Sequence, residues 1–133
     1  MKIRKLFLGD KDGQSIIEFA LVLPILLLVL FGITEFGRAI MVTNILHTAC
    51  REGARAGVVS PAGDIDSVAT ARAKEILQAA HLDLAKATIT IQVLPPDVKV
   101  SVTYNFEVLS GGILDPFVGT IPLKGSTVMR YEG

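Results

Sequence analysis

The feature that most constrains the fold is an uncharged apolar run, FALVLPILLLVLFGI, at positions 19–33. At a rise of ~1.5 Å per residue, a helix of this length spans about 22 Å, less than the ~30 Å hydrocarbon core of a bilayer. Extending the segment to Ile16 and Thr34 gives nineteen residues, close to the ~20 that a membrane-spanning helix needs. A full span therefore includes Glu18. A carboxylate is costly to place in lipid, so Glu18 is a candidate functional residue.

The charges that flank the apolar run predict its orientation. Four of the first eleven residues are Lys or Arg, and the next basic residue is Arg38. Because cytoplasmic flanks carry the excess of Lys and Arg, we expect a cytoplasmic N-terminus and a C-terminal domain outside the cytoplasm. An ordinary secretory signal cleaved near Ala39 is the alternative. The helical pattern continues past that point, which favours a membrane anchor.

The first part of the chain is predicted to form one long helix. No strong stop signal occurs between Gln14 and about Val58. Pro24 should loosen this helix locally, which membrane helices tolerate. Beyond the membrane, small and apolar residues can form a stripe at helical spacing that would pack on a small domain. They are Ile40, Val42, Ile45, Leu46, Ala49, Gly53 and Ala56.

The remainder predicts a second helix and a sheet, and hence an α+β fold. Asp64 is a good N-cap for a helix that ends near Ala80. After His81 the apolar period changes to two, which predicts strands around residues 89–93 and 98–108, separated by a turn at Pro95-Pro96-Asp97. A Gly-rich loop is expected at Ser110–Thr120. Leu123–Tyr131 is predicted to form a third strand, although Gly125 weakens this prediction. The two helices are the only candidates to cover this antiparallel sheet of about three strands.

Composition and motifs favour a structural protein over an enzyme. Thirteen basic and thirteen acidic residues cancel, so nothing calls for nucleic acid. Cys50 is the only cysteine; it is expected to be a small packed residue, with an intersubunit disulfide as the sharper alternative. We find no metal-ligand spacing, nucleophile elbow or phosphate loop. We therefore expect no catalytic activity, cofactor, metal or small-molecule substrate.

The segment GQSIIEFALVLPILLLVLFGITEFGRAI, at positions 13–40, resembles the TadE family of pilin-like proteins from tight-adherence (Flp/Tad) pilus systems. The resemblance continues through the "REGAR" segment at positions 51–55, and positions 125–130 are similar to the family's last strand. It implies a prepilin that a prepilin peptidase cuts between Gly13 and Gln14. The implied organisation is a leader at 1–13, a transmembrane helix at 14–34, its continuation at 35–58 and a small α+β extracytoplasmic domain at 59–133.

The resemblance also implies location, partners and function. The chain would be a single-pass protein of the bacterial inner membrane, with its C-terminal domain periplasmic or extracellular, and would be incorporated in a pilus. Implied partners are the prepilin peptidase, other pilin-like subunits, the major Flp-type pilin, inner-membrane Tad platform proteins and membrane lipid. The implied function is a minor pilin or pseudopilin that assembles a tight-adherence pilus for attachment or secretion. The alternative is an uncleaved anchor that presents a periplasmic binding domain to a secretion apparatus.

Specific residues receive roles from the same resemblance. Glu18, with Phe19 and Pro24, would act in assembly, because in related filaments this carboxylate is thought to meet the N-terminal amine of a neighbouring subunit. An interfacial carboxylate facing the headgroups is the alternative.

A second group of residues would form an inter-subunit or packing motif: Glu35, Arg38, Arg51, Glu52, Gly53 and Arg55. The alternatives are a surface pair for Glu35 with Arg38 and a solvated face for the charged residues at 51–55. The Gly53-x-x-x-Gly57 spacing is expected to pack on the domain's own sheet more readily than on a second helix of another subunit.

Overall fold

The structure is a computed structural model that describes residues 11–109 and 119–131, except for the side chain of Asp12. Helix α1 comprises Lys11–Val58 and helix α2 comprises Ile65–Ala79, followed by a 3₁₀ turn at Leu84–Lys86. Strands β1, β2 and β3 comprise Ala87–Leu94, Asp97–Glu107 and Thr120–Arg130. The α+β prediction is therefore confirmed. The first ten residues of the expected leader, and positions 110–118 of the expected loop, lie outside the described residues.

The chain divides into two compact units, residues 1–36 and residues 37–133. The described part of the first unit is the N-terminal part of α1. The second unit contains the rest of α1, then α2 and the sheet. The finer boundaries expected at residues 13, 34 and 58 for leader, membrane helix and outer domain stay predictions.

Helix α2 ends in a backbone motif that sets up the change to strands. His81 N donates to Gln78 O at 2.9 Å and Leu82 N donates to Leu77 O at 3.0 Å. His81 adopts a left-handed φ of 57°. Together these bonds form the Schellman pattern that satisfies the last helical carbonyls. At the other end, Asp64 is the N-cap as predicted, but its side chain makes no capping hydrogen bond.

The three strands form an antiparallel sheet in the order β1-β2-β3. In the central strand every second residue faces the core, as the alternation predicted. Ile91 pairs with Val100, which pairs in turn with Thr127 on β3. The buried core residues of this strand are Val98, Val100, Val102, Tyr104 and Phe106.

The two helices supply the rest of the hydrophobic core of the second unit. From α1 and α2 the core takes Val42, Leu46, Ala49, Cys50, Ala54, Ile65, Ala69, Ala73 and Leu77. Most of the predicted α1 stripe is thus correctly placed. The prediction is wrong for Ile40, which is 60% exposed.

Gly125 marks the closest approach of α1 to the sheet. A Cβ atom on Gly125 would lie 2.8 Å from the carbonyl carbon of Leu46 and 3.0 Å from the backbone nitrogen of His47. Glycine in a strand often marks a point where another backbone comes close. The residue that weakened the third-strand prediction is therefore the one that lets the helix lie directly on the strand.

Candidate functional site

The proposed processing segment lies at the start of α1. The helix begins at Lys11, so Gly13 and Gln14 lie in its first turns. Ser15 Oγ donates to Lys11 O at 3.1 Å, and a Cβ on Gly13 would meet no atom within 4 Å. The Gly13–Gln14 peptide bond therefore lies in a helical segment where a Cβ on the glycine meets no described atom.

Glu18 has a hydrogen-bond partner one helical turn before it. Gln14 Nε2 donates to Glu18 Oε1 at 3.2 Å, and both side chains are exposed. An ionised carboxylate can accept about four hydrogen bonds, and Gln14 supplies one of them. The helix therefore brings together Gln14, predicted to follow the cleavage site, and Glu18, predicted to act in assembly.

The helix that carries Phe19 and Pro24 is long and apolar enough to cross a membrane. The apolar window of this helix is 0% buried, and Phe19 is 63% exposed. Thr34 Oγ1 donates to Leu30 O at 3.0 Å, so its hydroxyl is satisfied within the helix, as apolar surroundings require. A single helix of this kind near the N-terminus suggests membrane anchoring.

Arg38 contacts the sheet of the second unit, to which it belongs. Its guanidinium carbon lies 4.8 Å from the centroid of the Phe106 ring, within the distance of a cation–π contact. Phe106 is 3% exposed, at the end of β2. Glu35 and Arg38 are both half-buried and both engaged in interactions. Local sequence patterns do not predict Phe106 as a partner of Arg38, because the two residues are far apart along the chain.

The segment from Arg51 to Arg55 divides into an inward and an outward part. A Cβ on Gly53 would lie 3.0 Å from Ala69 O and 3.3 Å from Ala73 Cβ, both on α2, and 3.6 Å from Val100 Cγ1. Arg51 and Arg55 are exposed. The glycine therefore serves packing inside the domain, whereas the two arginines face outwards.

Gly57 repeats this packing one turn later. A Cβ on Gly57 would lie 3.2 Å from Ala69 Cβ and 3.3 Å from Ile65 Cγ2. The expectation that the Gly53-x-x-x-Gly57 pair packs on the sheet is right in part, because Gly53 faces Val100 of β2, but the nearest neighbours of both glycines are on α2. Small residues on both helices allow a close approach of the two backbones. Alanines on α2 give little signal in a hydrophobic pattern, which is why Ala73 was missed.

Glu52 takes part in an ion-pair network with α2. Its Oε2 lies 3.6 Å from Arg72 Nη2, and Arg72 Nη1 lies 2.7 Å from Glu75 Oε2. The hydrogen bond with Glu75, assisted by the charge of Glu52, raises the pKa of the Arg72 guanidinium. Glu52 therefore has a partner within its own chain. The pairs are partly exposed, so their contribution to stability is small.

Cys50 is free and fully buried. Burial raises the pKa of its thiol, and a hydrogen bond with the backbone of Val102 opposes this shift. The prediction of a small packed residue is confirmed. An intersubunit disulfide would require the core to open.

Metal-binding clusters are not seen in the described ranges. No group of three or more His, Cys, Asp and Glu side chains that could hold a metal ion occurs within residues 11–109 and 119–131.

The segment built up above also matches a known family. Residues 13–55 match the family described as TadE-like protein. Comparisons with curated proteins and with solved structures found no match. The TadE-like match begins at Gly13, includes the apolar part of α1, and ends at Arg55, three residues before α1 ends. The similarity to this family is therefore shown for residues 13–55, the N-terminal third of the sequence.

Proposed function

We propose that this chain is a minor pilin or pseudopilin that a prepilin peptidase cuts after Gly13 and that takes part in assembly of a tight-adherence pilus. One observation carries the proposal: the TadE-like match begins at Gly13 and covers the apolar window of α1, which the described residues leave uncovered. A helix with this surface needs lipid or other subunits around it. A pilin-like subunit uses both in turn, lipid before assembly and neighbouring subunits after it.

Cleavage would create a positive charge, the new α-amino group, that could pair with Glu18. The new α-amino group at Gln14 has an ordinary pKa near 7.7–8.0 and is mostly protonated at neutral pH. Opposite charges that meet in a low-dielectric region avoid much of the cost that each bears alone. Within residues 11–109 and 119–131, the hydrogen bond given for the carboxylate of Glu18 comes from the neutral amide of Gln14. We infer that it pairs with the new amine of a neighbouring subunit.

The proposed location and partners follow from this role. The subunit would sit in the bacterial inner membrane with its N-terminus in the cytoplasm and its outer domain in the periplasm or beyond. It would meet the prepilin peptidase, the inner-membrane Tad platform and the major Flp-type pilin. Arg51 and Arg55 are the members of the predicted inter-subunit motif that remain available, because they are exposed.

Deletion and complementation in the bacterium that encodes the chain test the proposal. Loss of the gene should abolish or sharply reduce pili seen by electron microscopy, and an epitope-tagged copy should restore them. The restored chain should be detected in sheared filaments. Normal pili in the deletion strain would contradict the proposal. If pili depend on the chain but it stays uncut and confined to the membrane, the anchor function is the correct one.

A further inference from the structure

Strand β1 is an edge of the sheet, and its sequence lacks the residues that usually protect an edge. The strand, ATITIQVL, contains no charged residue, proline or glycine, and most of its residues are β-branched. Natural sheets protect their edges with charges, proline or bulges, because outward N–H and C=O groups otherwise recruit another strand. Strand β3, the opposite edge, contains Pro122, Lys124 and Arg130. The two edges therefore differ, and β1 is the one open to pairing.

The backbone of β1 is hydrogen-bonded along one side. Residues 87–94 pair with residues 97–104 of β2. Within residues 11–109 and 119–131, the other backbone hydrogen bond of this strand runs from Ala87 N to Leu84 O. Alternate residues of an edge strand direct their N–H and C=O groups away from the sheet. A further strand can therefore pair with β1 without displacing a described hydrogen bond.

A cavity of about 310 Å³ lies between β1 and α2, inside the second unit. Ala87 and Ile89 are partly buried on the core side of the strand, whereas Thr88 is exposed on the other side. A cavity that touches all three consecutive residues lies along the backbone edge, because successive side chains point to opposite faces. The lining consists of Thr70, Lys74, Leu84, Ala87, Thr88 and Ile89.

We propose that β1 and α2 bind an extended segment of a partner protein, which joins the sheet as a fourth strand and places a carboxylate beside Lys74. Apolar and polar side chains alternate in this segment, because its core-side residues meet Leu84 and Ile89 and the others lie next to Thr88 and Thr90. In this mode of recognition, main-chain hydrogen bonds supply affinity and pockets for alternate side chains supply specificity. The inference goes beyond the proposed function and depends neither on cleavage nor on pilus assembly.

Lys74 selects the charge of the partner segment. Its side chain is exposed at the cavity, and no ion pair of Lys74 occurs in the part of the chain that the structure describes. The neighbouring cation Arg72 is already paired with Glu52 and Glu75. None of the residues that line the cavity is acidic. A lysine in such surroundings favours a partner carboxylate and disfavours a partner cation.

Fluorescence anisotropy of short labelled peptides, measured with the full chain in detergent, tests the inference. In the peptides valine alternates with threonine, and a glutamate replaces each valine in turn. Each peptide is made in two forms, with N-methyl groups on one or the other set of alternate backbone nitrogens. An added strand uses only every second N–H toward its neighbour, so one form should bind saturably and the other should not. Equal binding of both forms, or binding of neither, would overturn the inference.

Two edge variants and one charge variant locate the site. Val93→Lys puts a charge on the core side of β1 at a position that is 45% exposed, and it should abolish binding. Val128→Lys on β3, where the valine is 57% exposed, is the matched control and should bind as the native chain does. Lys74→Gln should weaken the tightest glutamate peptide by up to about fivefold, the upper range for an exposed ion pair. The same peptide with glutamine in place of glutamate should bind both chains equally.

Amide hydrogen exchange supplies a local readout. The bound peptide should slow exchange at residues 88–94 and leave residues 120–130 unchanged. Slower exchange at β3 instead, unchanged affinity of Val93→Lys, or an equal loss for the glutamate and glutamine peptides in Lys74→Gln would contradict the proposed site. These measurements do not involve the N-terminus of the mature chain or the presence of pili. A failure here therefore leaves the proposed function standing, and failure of that function leaves this site standing.

Discussion

Gly125 of β3 lies against Leu46 of α1 so closely that a Cβ on the glycine would be 2.9 Å from the Cβ of the leucine. Leu46 is fully buried, and the other close contact is with backbone atoms, so neither partner can move aside cheaply. This contact fixes how α1 lies on the sheet of the second unit. Leu46 lies within the residues that match the TadE-like family, so the matched part of α1 contacts the last strand.

Gly125→Ala is therefore expected to destabilise the second unit by about 1–3 kcal/mol, the usual cost of overpacking a core. The free energy of unfolding of the full chain in detergent, measured with urea, checks this. Gly63→Ala is the matched control, because a Cβ there meets nothing within 4 Å, and it should change stability by less than about 0.5 kcal/mol. Equal stability of the two variants would show that α1 lies further from the strand.

Two glycines of α1 should respond to alanine in opposite directions. Gly37→Ala should stabilise the helix by up to about 1 kcal/mol, because alanine is the better helix former. Gly53→Ala should destabilise the chain, because its Cβ would lie 3.0 Å from Ala69 O. This close contact outweighs the gain in helix propensity. Thermal unfolding followed by circular dichroism gives both changes. If Gly53→Ala raises the melting temperature as Gly37→Ala does, the close packing of α1 on α2 is wrong.

The buried thiol of Cys50 predicts a dependence of stability on alkaline pH. Because burial raises its pKa in the folded chain, the folded state keeps its proton longer than the unfolded state. The contribution is fully present below the unfolded pKa of about 8.5 and is lost as pH rises through the folded value. The fall of unfolding free energy above pH 8.5 should be smaller in Cys50→Ala. The native thiol should also react with a thiol reagent only after unfolding. Rapid reaction in the native chain, or a disulfide-linked dimer on a non-reducing gel, would contradict burial.

Glu18→Gln should separate processing from assembly. The amide keeps the size of the side chain and can still accept from Gln14, but it cannot pair with an ammonium group as a carboxylate does. Cleavage after Gly13 is expected to proceed, while incorporation into sheared pili falls strongly. Asp66→Asn, at an exposed position on α2, is a control for loss of a carboxylate elsewhere in the chain and should leave incorporation unchanged. Normal incorporation of a cleaved Glu18→Gln chain would favour the headgroup-facing alternative.

Much of the structure of the second unit can be predicted from local sequence patterns. The alternation from Val98 to Phe106 fixes β2 and its buried face, because a half-buried strand has a period of two. The change from helix to strand near His81 was predicted correctly, although the sequence does not indicate the left-handed backbone of His81. The core stripe of α1 also follows from its period, except at Ile40, which is exposed.

The missing parts are contacts between distant segments. Gly125 reads as a weak strand residue until Leu46 is known to lie on it, and Arg38 has no visible link to Phe106. For the candidate site, the spacing of Gly13, Gln14 and Glu18 is readable directly, and the hydrogen bond between the last two follows from helical spacing. The division of the segment 51–55 into packing and exposed residues depends on α2, which the local sequence does not place.

The first residue of the mature chain tests the central claim most directly. Intact mass and N-terminal sequencing of the chain purified from its own cells should show loss of residues 1–13 and a start at Gln14. Gly13→Val should block this cut. Gly32→Val, another α1 glycine where a Cβ meets nothing within 4 Å, should be cut normally. A chain that retains Met1, or one that begins near Ile40, would contradict processing as a pilin-like subunit.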